Sequence, residues 1–181
     1  MRPFAKVFTV CCVLSGLSSY TGLSAQETET KPDRSKVRIG TFDSRLVATA
    51  YVRSQSFQRR LAKMQADLKG AKAAGDEKRV KQLEAEGPAL QDLIHKQGFS
   101  TWPIHDILQS IKEEMPEIAK QAKVDVLVSK WDVVFQRKDV ELIDVTDLMV
   151  EPFSPTEETR KKLASLGQQA PVPLEQLKQL K

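Results

Sequence analysis

Residues 57–94, FQRRLAKMQADLKGAKAAGDEKRVKQLEAEGPALQDLI, decide how this chain is read. Phe57, Leu61, Met64 and Leu68 recur at intervals of four, three and four residues. That spacing holds apolar side chains on one narrow, heptad-like stripe of an α-helix. Gly75 and Asp76 then supply a helix stop and a fresh cap. Val80, Leu83, Leu90 and Ile94 carry a second stripe, with Gly87 at its intermediate position. In an antiparallel helical pair both limbs rise about 1.5 Å per residue, so facing positions have residue numbers of constant sum. Leu68 with Leu83, Met64 with Gly87, Leu61 with Leu90 and Phe57 with Ile94 share one sum, and its midpoint falls between Gly75 and Asp76. The expectation is a hairpin closed along this seam, with Met64 filling the space left at Gly87. Pro88 should bend or briefly interrupt the second limb. The rival is one straight helix through Gly75, at a cost of about 1 kcal/mol for an interior glycine, with the stripes pairing between chains.

Working outward, the helical arm covers about 45–97. Val37, Ile39 and Phe42 give a short strand before it, within 37–42, and Asp43 or Ser44 can cap the first helix. After the connector GFSTWP (98–103), Ile104, Ile107, Leu108, Ile111, Met115 and Ile118 give a wider apolar face to a body helix over 104–122, which Pro116 should kink. Between 124 and 143, Val126 and Val128, then Val133–Phe135, read as strands joined near Lys130-Trp131-Asp132. Val140, Leu142 and Ile143 form a further β-like run, and Asp144 or Thr146 starts a brief helix through Val150. The fold class is therefore α+β: a small β-sheet body with a protruding antiparallel α-helical hairpin arm. So few strands offer too few paired edges to stand alone, which predicts completion by oligomerisation. Residues 153–181 read as a C-terminal extension, helical over 156–166 and then a flexible appendage.

The first stretch is not read as fold. Arg2 and Lys6 precede the apolar run Val7–Leu17, and small residues follow to Leu23-Ser24-Ala25. This is the pattern of a secretory signal peptide over 1–25, followed by a polar leader at 26–36 with the composition of disorder. Cleavage would remove Cys11 and Cys12, leaving a mature chain with no disulfide or thiol chemistry. It would also lower the formal charge of +4 by two, as Arg2 and Lys6 leave. No other stretch is apolar enough to span a bilayer. At 40% hydrophobic and 29% charged, the 181 residues suit one domain with a modest core.

Little in the chain suggests catalysis. The two histidines, His95 and His105, are separated by Gly98 and Pro103, which breaks any common helical face for a metal. Gly98-Phe99-Ser100-Thr101-Trp102 starts like a nucleophile elbow but lacks the final glycine. Asp125, Asp132, Asp139, Asp144 and Asp147 fall where aspartate caps turns and blunts sheet edges. No glycine-rich phosphate loop is present, and no cofactor is expected. Trp102 and Trp131 read as core anchors, Trp131 against the body helix. The clearest asymmetry lies on the arm, where Arg53, Arg59, Arg60, Lys63, Lys69 and Lys72 face a single acid, Asp67. The bland account is a solvated helix face. The functional one is attraction of acidic unfolded chains or anionic lipid head groups. Export argues against nucleic acid.

Three stretches resemble the Skp/OmpH family of periplasmic chaperones, distantly and with a shortened helical arm. VRIGTFD (37–43) is similar to the family's first strand, KAAGDEKR (72–79) to a stretch of its arm, and VDVLV (124–128) with VVF (133–135) and VELIDVTDL (140–148) to its closing strands. The resemblance covers roughly 37–152, and residues beyond Pro152 extend past the family's usual end. It implies a homotrimer whose sheets join in one body and whose coiled-coil-like arms enclose unfolded outer-membrane proteins without ATP, in the periplasm. The family has no catalytic residues to carry over, and a shorter arm implies a smaller cavity. The competing class is a non-enzymatic envelope structural or adaptor protein that uses the same hairpin for one fixed partner.

Overall fold

The computed structural model describes residues 36–177. The signal-peptide reading of 1–25, the leader up to residue 35 and the last four residues lie outside the described part. Within it the fold is α+β. Strand β1 (Arg38–Phe42) leads into helices α1 (Ser44–Val52), α2 (Gln55–Ala74) and α3 (Glu77–Phe99). After the connector come α4 (His105–Leu108), a 3-10 turn and α5 (Met115–Ala122). Strands β2 (Val126–Ser129) and β3 (Glu141–Asp144) follow, then α6 (Thr146–Val150), α7 (Glu157–Gly167) and α8 (Leu174–Leu177).

The three strands make one sheet in the order β2-β1-β3, and both outer strands run parallel to β1. Gly40 lies opposite Leu127 on one side and Ile143 on the other. Leu127 and Ile143 pack against the helical core. A Cβ at Gly40 would sit 2.9 Å from Leu127 Cδ2 and 3.0 Å from Val124 Cγ2, inside normal contact. Gly40→Ala should therefore destabilise the fold by about 1–3 kcal/mol through overpacking. A urea midpoint unchanged from wild type would contradict this packing.

Two of the strand expectations need correction. Val133–Phe135 forms no strand, and Val134 and Phe135 are 97% and 79% exposed. Because β2 and β3 both run parallel to β1, the chain leaves β2 at its carboxyl end and must enter β3 at its amino end. Residues 130–140 therefore travel back along the sheet as a crossover, and β1 has already used both its edges. Residues 126–135 are thus not two strands joined at Lys130–Asp132. By alternation along the strands, Ile39, Val126, Val128 and Leu142 share the face opposite to Gly40. Val126 is half exposed there.

The stretch 45–97 is not one arm. Helix α1 starts at the N-cap Asp43, whose carboxylate accepts from the Arg45 N–H, and it ends at Val52. Val47, Ala48 and Ala50 are buried, so α1 belongs to the core. Ser54 then caps α2 by accepting from the Phe57 N–H. Gly75, at φ 69°, ends α2 in the left-handed region that glycine adopts without strain. Asp76 caps α3 by accepting from the Arg79 N–H. Helix α3 continues through Pro88, where an interruption was expected. Helices α2 and α3 pack on each other. Near their turn Ala71 and Val80 line one small cavity, and Lys72 Nζ lies 2.9 Å from Glu84.

The body helix is also broken up. Residues 105–122 form α4, a 3-10 turn at Gln109–Ile111 and then α5. Pro116 sits in the first turn of α5, where its missing N–H leaves no gap, and so it starts a helix instead of kinking one. Ile104, Ile107, Ile111 and Ile118 still enter the core beside Phe42, Met149 and Phe153. Helix α7 joins that core through Leu163. Beyond it, the Val172 N–H donates to Phe99 O, so the stretch read as an appendage is tied back to the end of α3.

Candidate functional site

Around the carboxyl ends of β1 and β2 sit the most buried charges among the described residues. In parallel strands equivalent ends meet, and Phe42 is registered with Ser129. One residue further on, Asp43 and Lys130 become neighbours. Asp43 and Arg45 are each 1% exposed. Arg45 grips the carboxylate with two nitrogens, Nε to Oδ1 at 3.1 Å and Nη2 to Oδ2 at 2.8 Å. Lys130 Nζ reaches Oδ2 at 2.8 Å, and the Trp131 indole N–H donates to Oδ1 at 3.3 Å. The remaining Arg45 nitrogen, Nη1, donates to Gln169 O at 2.9 Å. Arg45 and Lys130 also lie over the Trp131 ring, 4.9 and 4.5 Å from its centroid. Trp131 is thus half-buried in a charge cluster and is not an anchor against the body helix.

Burial alone would push the Asp43 carboxyl up. Hydrogen bonds and charge from Arg45 and Lys130 outweigh it and hold the group below the ordinary carboxylate value. Every strong acceptor site on this carboxylate is occupied, and both cations are spent on it. The cluster has no free base and no free acid. Its chemistry is that of a lock: it joins β1, α1, the 130–140 crossover and the C-terminal segment. Sequence reasoning missed it, although Asp43 and Lys130 each directly follow a strand, β1 and β2.

Beside the lock lies a cleft of about 310 Å³. Ser44, Leu127 and Ser129 line its sheet side, and Trp102, His105 and Asp132 are also among its lining residues. Trp102 is 37% exposed there, so it is not a core anchor either. Lys96 Nζ lies 5.1 Å from the centroid of its ring. His95 stands apart on α3, edge-on to Phe99. Among the described residues no three His, Cys, Asp or Glu side chains gather into a metal site.

The arm's basic residues have separate fates. Arg53 ties α1 to α7, with Nη2 3.1 Å from Glu158 and Nε donating to Thr159. Arg60 donates to the Tyr51 hydroxyl at 3.3 Å, Lys63 pairs with Asp67 at 3.2 Å, and Lys72 pairs with Glu84. Arg59 and Lys69 are exposed and make no side-chain pair among the described residues. On the stripes, Phe57 and Leu83 are buried, while Leu61, Met64, Leu68, Gly87, Leu90 and Ile94 are half-buried. Most positions around them on α2 and α3 are exposed. Among the described residues no helix is long and apolar enough to cross a membrane. Compared with protein-family models, curated proteins and solved structures, the chain finds no match in any of the three.

Proposed function

We propose that this chain is the subunit of an ATP-independent holdase of the periplasm, a homo-oligomer that binds unfolded envelope or outer-membrane proteins. The observation that carries the assembly is the apolar surface left open around the sheet. All-parallel sheets are normally covered on both faces. Here one face meets the helices, while Val126 is 50% exposed, with Val134 97% and Phe135 79% exposed on the crossover. Apolar surface of this kind marks an interface, and a second and third copy of the chain are its proposed cover. The number three comes from the resemblance to the Skp/OmpH family, as does the assignment to unfolded clients.

In this proposal α2 and α3 form an antiparallel hairpin that projects from the joined bodies. The half-buried stripe within an exposed, charged surface supports it, as does the cavity shared by Ala71 and Val80. Of the six cations between Arg53 and Lys72, Arg59 and Lys69 are left to draw acidic clients, and anionic lipid head groups are the other surface they would meet. The seam is checked by Leu61→Cys with Leu90→Cys in the mature chain, which would have lost Cys11 and Cys12. Mild oxidation should give a disulfide within one chain. Crosslinks only between chains would mean a different register. The function is checked by dilution of several unrelated denatured outer-membrane proteins into the purified protein without ATP. Aggregation should fall for all of them at near-stoichiometric ratios. One saturable partner and no general suppression would instead identify an adaptor.

A further inference from the structure

The segment 168–177 is seated on the body as a bound peptide would be. It leaves α7 at Gly167, runs without helix through 170–173 and ends in the single turn of α8. Ala170 and Val172 each precede a proline, which pushes them to extended backbone. Two hydrogen bonds hold the segment to the elements before α7, and both use its main chain. Gln169 O accepts from Arg45 Nη1 at 2.9 Å, and the Val172 N–H donates to Phe99 O at 2.8 Å. Among the described residues no side chain of 168–177 makes a hydrogen bond or ion pair. Val172, Leu174 and Leu177 are half-buried, α8 packs on α3, and the polar side chains Gln168, Gln169, Glu175 and Gln176 are exposed.

The body therefore supplies one donor, one acceptor and an apolar bed. Arg45 is 1% exposed and its other two nitrogens grip Asp43, so Nη1 needs an acceptor brought to it. Phe99 O lies in the last turn of α3, where carbonyls have no partner within the helix. A C=O and an N–H three residues apart in one extended chain satisfy this pair, as 169 and 172 do. Any polypeptide carries those groups, whatever its side chains. Main-chain bonds of this kind hold extended peptides, and apolar residues fill the bed beside them.

We propose that 168–177 is an intramolecular strap over a peptide-binding groove, whose ligand in trans is an extended apolar segment of an unfolded polypeptide. The identity of that polypeptide as a client rests on the holdase reading. Tethering gives the strap an effective concentration on the order of millimolar, so its few contacts keep the groove covered. A client with more apolar surface displaces it. A strap closed about nine-tenths of the time lowers apparent affinity about tenfold.

The test is fluorescence anisotropy with a labelled, capped peptide of residues 168–177. It is added to the full-length mature protein and to its Val172→Pro/Leu174→Asp variant. That variant removes the N–H given to Phe99 O and one apolar contact, and leaves the lock residues in place. Wild type should bind the peptide weakly and the variant about tenfold tighter. N-methylation at the peptide's Val172 should weaken binding to both proteins about fivefold, the worth of one hydrogen bond. Replacing its four polar side chains with serine should change nothing. Absence of binding, equal binding by wild type and variant, no effect of N-methylation or loss with the serine peptide would each overturn the strap. The wild-type titration carries the same N-methyl comparison, so the result does not hang on how the variant folds. The peptide should also displace a denatured outer-membrane protein from the variant. Peptide binding without that competition would overturn the client as the ligand in trans. If the peptide binds as expected while aggregation is not suppressed, the holdase reading falls and the strap stands.

Discussion

Asp43→Ala is expected to lower stability by about 3–5 kcal/mol, the usual cost of stranding a buried partner charge. Arg45, itself 1% exposed, would lose both of its carboxylate contacts, and Lys130 and Trp131 would lose theirs. Helix α1 would also lose its cap. Urea unfolding of the variant should show an earlier midpoint at similar slope. A loss below about 1 kcal/mol, the range of an exposed pair, would mean that the cluster is solvated and is no lock. The same group sets an acid limit. Its folded pKa lies below the ordinary value of 3.8, so the unfolded chain binds the proton more tightly. Its contribution is fully present above that ordinary value and is lost as pH falls through the lower folded one. Wild-type stability should therefore drop more steeply below pH 3.8 than that of Asp43→Ala.

Phe57→Ala should cost about 3–5 kcal/mol, in the range for deleting a buried aromatic ring. Phe57 is 1% exposed in the first turn of α2 and meets the Tyr51 ring edge-on at 5.2 Å. Tyr51 in turn meets Phe153 at 5.7 Å, so the three rings fix the root of α2 to α1 and to the turn after α6. Leu68→Ala, on the same stripe but half-buried, should cost clearly less. Thermal unfolding of the two variants compares them directly. Equal losses would mean that the distal stripe carries as much of the stability as the root.

These two residues also show how far the sequence can be read. The stripe starting at Phe57, the stop at Gly75 and the cap at Asp76 were legible because helix periodicity and capping are local. The first strand, the cap at Asp43 and the brief helix before Val150 were legible for the same reason. The Asp43 cluster was hidden because it depends on strand direction. Residues 130–140 hold no helix, and a connection that short reads as a loop between adjacent strands. Parallel strands usually need a longer crossover. With Val133–Phe135 read as a strand, Lys130 and Trp131 become turn residues, with no reason to meet Asp43. Pro116 misled differently: proline breaks a helix interior but opens a helix well, and only the backbone before it decides which. The cleft could not be read at all, since its lining comes from segments spread between Phe42 and Met149.

The central claim is that the open sheet is covered by further copies of this chain. Sedimentation equilibrium of the mature protein at micromolar concentration tests it most directly. The account predicts a single homo-oligomer, three chains by resemblance, whose mass falls when the exposed Phe135 is changed to Asp. A folded monomer across that concentration range would contradict it.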